Sequence, residues 1–247
     1  MRHDVRHAVA VAVVFLVLRP AMLGAQEPEY VRLQWWHPFV ASAGVAALFL
    51  LDEPVHDYVQ DHRSASLDDV ADVAVRFHDP TVFIVSSSGA MALGLVLREP
   101  VVAQTGLQIL ASYALASGMM IGTKWVFGRS RPNATPDDPM VFDMLGGGEN
   151  AAFPSGASTV TFSLATTVAD AIGHPAVTVA LYAGATLNAW ARVNGDRHWV
   201  SDVAAGALYG ITAAKLVNGR WRVFGLRPPT VVVDPAGRAA IAYRVRW

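Results

Sequence analysis

Residues 101–132 read VVAQTGLQILASYALASGMMIGTKWVFGRSRP. The first 23 carry no formal charge, and then Lys124, Arg129 and Arg131 arrive within eight positions. A run of that length is a long apolar helix, since about 20 residues cross a bilayer. Upstream, residues 81–97 are likewise free of formal charge, and Arg98-Glu99-Pro100 separates the two runs as a tight helix–helix connection. Still earlier, residues 39–51 are apolar and follow Trp35 and Trp36, whereas residues 52–79 are charged. Within that charged segment Leu67, Val70, Ala71 and Ala74 recur at helical spacing, a surface helix for which Ser66 and Asp69 read as a capping box.

Downstream lies a loop rich in Gly, Pro and Asp over residues 133–153. Helical stretches follow at 158–172, 175–193 and 202–217, the first two divided by Gly173-His174-Pro175. The stretch 158–172 holds four Thr and Ser hydroxyls beyond its first two residues, together with Asp170, which suits a helix packed among protein neighbours. The alternation of Val160, Phe162 and Leu164 keeps a strand open as an alternative there. After Pro228-Pro229, residues 230–233 and 241–247 flank Asp234-Pro235-Ala236-Gly237 and read as a β-hairpin. The expected fold is all-α, a bundle of six core helices over residues 26–227, with a small C-terminal hairpin over 228–247.

The whole chain has 247 residues, 53% hydrophobic and 16% charged, a net charge of −1 and no cysteine. Disorder is excluded by the apolar content, and nucleic-acid binding by the lack of a basic excess. Without Cys there is no disulfide framework, thiolate metal site or thiol nucleophile. A mean hydropathy of +0.34 lies between a soluble enzyme and a multi-span membrane protein. Residues 1–25 have a basic start (Arg2, Arg6), an apolar run over 8–18, a break at Pro20 and small residues at Gly24-Ala25, the pattern of a secretory signal peptide. The competing reading is an uncleaved anchor.

Three clusters carry chemistry. Lys124, Arg129 and Arg131 suit a phosphate-like dianion, or else a solvated basic helix end. Phe153-Pro154-Ser155-Gly156-Ala157-Ser158 turns into a helix, where backbone N–H groups gather at an anion site or are merely capped by Ser155 or Ser158. In Arg192-Val-Asn-Gly-Asp-Arg-His198-Trp-Val-Ser-Asp202, His198 and Asp202 stand four apart, so that a helix would stack them and the carboxylate would fix the imidazole tautomer; a plain surface pair is the alternative.

Together, Lys, six residues, Arg-Pro; then Pro-Ser-Gly; then Arg, five residues, His, three residues, Asp resembles the type-2 phosphatidic-acid phosphatase superfamily, which includes bacterial acid phosphatases and vanadium haloperoxidases. The resemblance covers the motifs between Lys124 and Asp202 and the six-helix core around them. It implies that Lys124, Arg131 and Arg192 hold the phosphate oxygens, with Ser155 and Gly156 completing the cradle. His198 would attack phosphorus to form a phosphohistidine, with Asp202 orienting it, and no metal or other cofactor would be needed. The sequence departs from the pattern twice. Ala157 stands where the family has the histidine that protonates the leaving oxygen, and Ala191 stands where it has a serine.

Three consequences are open for Ala157: another donor such as His174, His78 or water; a substrate with a good leaving group, such as a diphosphate; or a site that binds phosphate with little turnover. The leading expectation is a hydrolase of phosphomonoesters or diphosphates, with a lipid phosphate among the candidate substrates. The alternatives are a non-catalytic binder of phosphate or lipid headgroups and, further off, a haloperoxidase. In membrane members of the family the site faces away from the cytoplasm. A cleaved signal peptide conflicts with six spans in that orientation, so the expected setting is an exported bundle, periplasmic or membrane-associated, ahead of an integral inner-membrane enzyme. The sequence carries no signal for an oligomeric state.

Overall fold

The computed structural model describes residues 30–146, 151–223, 230–233 and 238–242. The expected signal peptide at 1–25 lies outside the described residues. Among the described residues eight α-helices follow one another: α1 (His37–Leu48), α2 (Asp52–Asp61), α3 (Ala65–Ala74), α4 (Pro80–Val96), α5 (Pro100–Phe127), α6 (Gly156–Ile172), α7 (Pro175–Asn194) and α8 (Val200–Val217). The 3₁₀ turns Phe49–Leu51 and Val75–His78 extend α1 and α3. A short strand β1 (Val31–Leu33) pairs in parallel with β2 (Trp221–Val223), which the sequence did not announce. The expected hairpin is present as β3 (Thr230–Val233) against β4 (Ala239–Ala242), antiparallel, with Val231 opposite Ile241, its second strand starting two residues before the expected 241 and the rest of 241–247 lying outside the described residues.

The helix ends follow from local chemistry. Asp79 caps α4 by accepting from the Thr81 N–H at 2.8 Å, and Pro80 fills the first helical position, where its missing N–H costs nothing. Pro100 and Pro175 begin α5 and α7 in the same way. Gly128 ends α5 at φ +53°, and a Cβ there would meet the Asp143 carbonyl oxygen at 2.0 Å, so only glycine fits. The cap of α3 corrects the sequence reading. Ser64, not Ser66, accepts from the Leu67 N–H, because the helix begins at Ala65.

At the centre lies α6, packed against α5, α7 and α8. Thirteen of its 17 residues are buried, which settles the helix over the strand alternative and explains how a hydroxyl-rich segment is tolerated. Most of its hydroxyls find partners: Thr159 and Thr161 donate to carbonyls one turn back, Thr166 meets Tyr182, and Thr167 donates to Ser112, whereas the buried Ser163 hydroxyl has none. On α8, Gly206 and Gly210 lie one turn apart against α6. A Cβ at either would come within 2.4 or 2.3 Å of the Ser155 or Thr159 carbonyl oxygen. That close approach sets the register between the residues preceding α6 and those opening α8. Beside it, Phe162 and Ala165 pack on Ala185, Ala189, Val193 and Val203.

The outer helices differ. No residue of α1 is buried, and Phe39, Val40, Ile84, Val96 and Leu110 all face outward. Among the described residues, two helical runs are long and apolar enough to cross a membrane, His37–Asp61 and Val200–Val217, and the bent pair Ala65–His78 with Pro80–Val96 would make a third.

Candidate active site

The C-terminal end of α5, the start of α6, the end of α7 and the start of α8 meet at one pole of the bundle, and the three sequence clusters meet with them. Ser155 donates its N–H to the Asp202 carbonyl oxygen at 2.9 Å, which ties the second cluster to the third. Arg129 ties the first to the third: its Nη1 donates to Asp202 Oδ1 at 2.8 Å and to Ser201 Oγ at 2.7 Å.

The relation of His198 to Asp202 is not the helical stacking that the spacing suggests. His198 precedes α8, whose cap is Trp199, and Asp202 sits in the first turn. Its Oδ2 accepts from the Trp199 N–H at 2.9 Å and stands 3.6 Å from His198 Nδ1. The carboxylate thus folds back over the helix N-terminus, where the exposed amides favour a negative charge. Nδ1 has no closer partner, which leaves Nε2 as the nitrogen available to a substrate. Burial, reinforced by Lys124 and Arg192 and opposed by Asp202, lowers the His198 imidazole to about 4. A neutral ring with a lone pair is what a nucleophile at neutral pH needs.

Lys124 lies in the last turn of α5, and its Nζ donates to the Ala151 carbonyl oxygen. Burial brings its ammonium down to about 8, with Asp202 opposing and Arg131 and Arg192 reinforcing. Arg131 and Arg192 are each lowered by burial and by neighbouring guanidinium groups. Lys124, Arg131 and Arg192 therefore sense one another across three elements, as a cradle for a dianion requires. Gly156 opens α6, where first-turn amides have no partner within the helix. Ser155 holds a different place from the one expected of it. It is fully buried, its Oγ accepts from the Ser158 N–H and hydroxyl, and its own N–H is spent on Asp202. It positions the turn, with the Ser158 amide capped by its hydroxyl.

Two groups escaped the sequence reading. Arg197 shares the field of Arg131 and Arg192 and, with Arg131, Asn133 and Asp143, lines a cavity of about 430 Å³ beside the cradle. Its place next to His198 was the available signal. The other is a polar stripe on α2, where Asp52, His56 and Gln60 are spaced one turn apart. Asp52, fully buried, accepts from Arg129 Nη2 at 2.6 Å and from the Ser201 N–H and hydroxyl at 2.8 and 2.7 Å. His56 Nε2 meets Asp196 Oδ1 at 2.8 Å, and Gln60 donates to the Val193 carbonyl at 3.2 Å. One helix face thus clamps the loop that presents His198. Nothing in a charged segment 140 residues away could reveal that pairing.

A helical bundle that gathers a His–Asp pair, a Pro-Ser-Gly turn and three cations at one pole has the architecture of the type-2 phosphatidic-acid phosphatases. Residues 105–223 match the PAP2 superfamily. Over 110 residues the chain is 34% identical to the lipid A 1-phosphatase of Porphyromonas gingivalis, covering 44% of this chain and spanning only 21% of that protein. Two crystal structures share the fold, each at 20% identity and a TM-score of 0.53. One is Aquifex aeolicus LpxE, which matches over 66% of this chain and 92% of its own. The other is the first transmembrane PAP2-type phosphatidylglycerolphosphate phosphatase from Bacillus subtilis, over 86% of this chain and 94% of its own.

Proposed function

We propose that the protein is a membrane-associated phosphatase of lipid phosphates that works through a phosphohistidine at His198. The observation that carries this is the convergence of His198–Asp202 with Lys124, Arg131 and Arg192 at one pole, each close enough to alter another's charge. The cations would hold the phosphate oxygens and stabilise the charge that builds on them in the transition state. His198 Nε2 would attack phosphorus while Asp202 stabilises the growing positive charge on the ring. Water would then release phosphate from the phosphohistidine.

A lipid is favoured over a small ester by the surroundings of the pocket. Leu50, Trp125, Met140, Met144 and Leu145 are all exposed on the segments that frame this pole. Apolar side chains next to a cationic pocket suit an amphiphile with a phosphate head, and together with the outward faces of α1 and α4 they suit contact with a membrane. The named activity of the Porphyromonas gingivalis relative agrees. A periplasmic or exported placement follows the sequence reading of residues 1–25.

Ala157 favours a second reading, a binder of lipid phosphate that does not turn over. Phosphate release from phosphatidate in mixed micelles and from p-nitrophenyl phosphate separates the two, with His198→Ala as the control. Catalysis is supported by release that the variant abolishes. Phosphate binding without release from either substrate supports the binder.

A further inference from the structure

Ala157 is 8% exposed and cannot donate a proton, so the leaving oxygen needs another donor. His3 and His7 lie outside the described residues. Among the described histidines most are excluded by place. His174 is exposed at the cap of α7, beyond the far end of α6 and so about 25 Å from its first residue by helix rise. His37 opens α1 and accepts from the Gln34 N–H. His62 is exposed and bonded to the Tyr58 carbonyl. His56 is held by Asp196.

His78 remains. It closes the 3₁₀ turn Val75–His78, which packs on both α6, the helix whose second residue is Ala157, and α7. Its Nδ1 lies 3.5 Å from Asn188 Nδ2, and Asn188 is anchored by its 2.7 Å bond to the Ala74 carbonyl. Asn188 and Arg192 are one turn apart on α7, so the His78 ring lies on the face that carries a cradle cation.

We propose that His78 is the proton donor to the leaving oxygen, replacing the imidazole missing at position 157; this rests on the phosphatase reading above. As His198 Nε2 bonds to phosphorus, the P–O ester bond breaks, its electron pair stays on the leaving oxygen, and that oxygen takes the proton of the His78 imidazolium. In the second half, neutral His78 takes a proton from water as the water oxygen attacks phosphorus. The P–N bond breaks and its electrons return to His198.

The free-enzyme electrostatics fit a donor that is charged only when substrate is present. Burial and then Arg192 pull His78 below the ordinary imidazole range, while Asp79 and the Val75 carbonyl pull the other way. A phosphate dianion seated on Arg192 cancels the repulsion and favours the imidazolium.

The test compares the intact protein with His78→Gln, Ala157→His and the double variant, on an alkyl phosphate and on p-nitrophenyl phosphate. A general acid is worth about 10²–10⁴-fold where the leaving group is poor. H78Q should lower kcat on the alkyl phosphate by about that factor and on the aryl phosphate by only a few-fold. Adding A157H should restore the alkyl activity, which a merely structural role for His78 would not allow. Equal losses on both substrates, no loss on either, or a leaving-group-selective loss in Asp143→Asn instead would overturn the proposal. If the unaltered protein releases no phosphate, or H198A releases as much, the phosphatase reading fails first.

Discussion

Arg129 Nη1 stands 2.8 Å from Asp202 Oδ1, while the other oxygen of that carboxylate faces His198. Nη2 of the same guanidinium reaches Asp52 at 2.6 Å, and all three side chains are fully buried. Phe49 lies against the guanidinium face, 4.3 Å from its carbon to the ring centre. One buried cation therefore fixes the Asp202 carboxylate that faces His198, and an acid from α2 neutralises the remainder.

Breaking that triad should be costly, because it strands two buried carboxylates. Arg129→Met is expected to lose about 3–5 kcal/mol of stability. Adding Asp52→Asn should recover part of it. Urea denaturation of the purified protein checks both.

On the proposed mechanism, Asp202→Asn keeps the shape but removes the charge that would stabilise positive charge growing on the His198 ring. A fall in kcat of about 10²–10⁴-fold with little change in KM is expected from steady-state kinetics. A change confined to KM would assign Asp202 to binding instead.

The buried imidazole also makes stability depend on pH. His198 titrates at about 4 in the folded protein and at 6.5 when unfolded, so the unfolded chain takes up the proton first. The stabilisation is complete above pH 6.5 and is lost as pH falls towards 4. His78, also lowered, adds to the same slope. His198→Asn should flatten the denaturation midpoint between pH 6.5 and 4. Lys124, at about 8 in the free protein, should lose its charge above that pH, so inorganic phosphate should inhibit less well there.

Close helix packing gives a sharp contrast among glycines. At Gly206 a Cβ would sit 2.4 Å from the Ser155 carbonyl oxygen, so Gly206→Ala should cost about 1–3 kcal/mol and disturb the Ser155–Asp202 contact. At Gly184, on the outer face of α7, nothing lies within 4 Å, and Gly184→Ala should gain up to about 1 kcal/mol. Thermal unfolding of the two variants measures the difference.

The helices were legible because charge-free runs and Pro–Gly punctuation mark them directly, and the convergence of Lys124, Arg131, Arg192, His198 and Asp202 at one pole was anticipated because they keep a recognisable spacing. What escaped was long-range or geometric. The parallel pairing of β1 with β2 joins three-residue segments almost 190 positions apart, with no pattern of their own. Asp52 reads as a solvated charge until Arg129 is seen beside it. The His198–Asp202 contact followed the spacing for the wrong reason, since a cap rather than a helical turn brings them together. Ser155 was placed in the cradle by motif, and its N–H and the acceptor side of its hydroxyl hold the turn.

The most direct test of the account is to trap the enzyme during turnover. With phosphatidate labelled in its phosphate and a rapid alkaline quench, an alkali-stable, acid-labile phosphoryl group should appear on His198 and vanish in H198A together with phosphate release. Turnover that persists in H198A, or a label found on another residue, would contradict it.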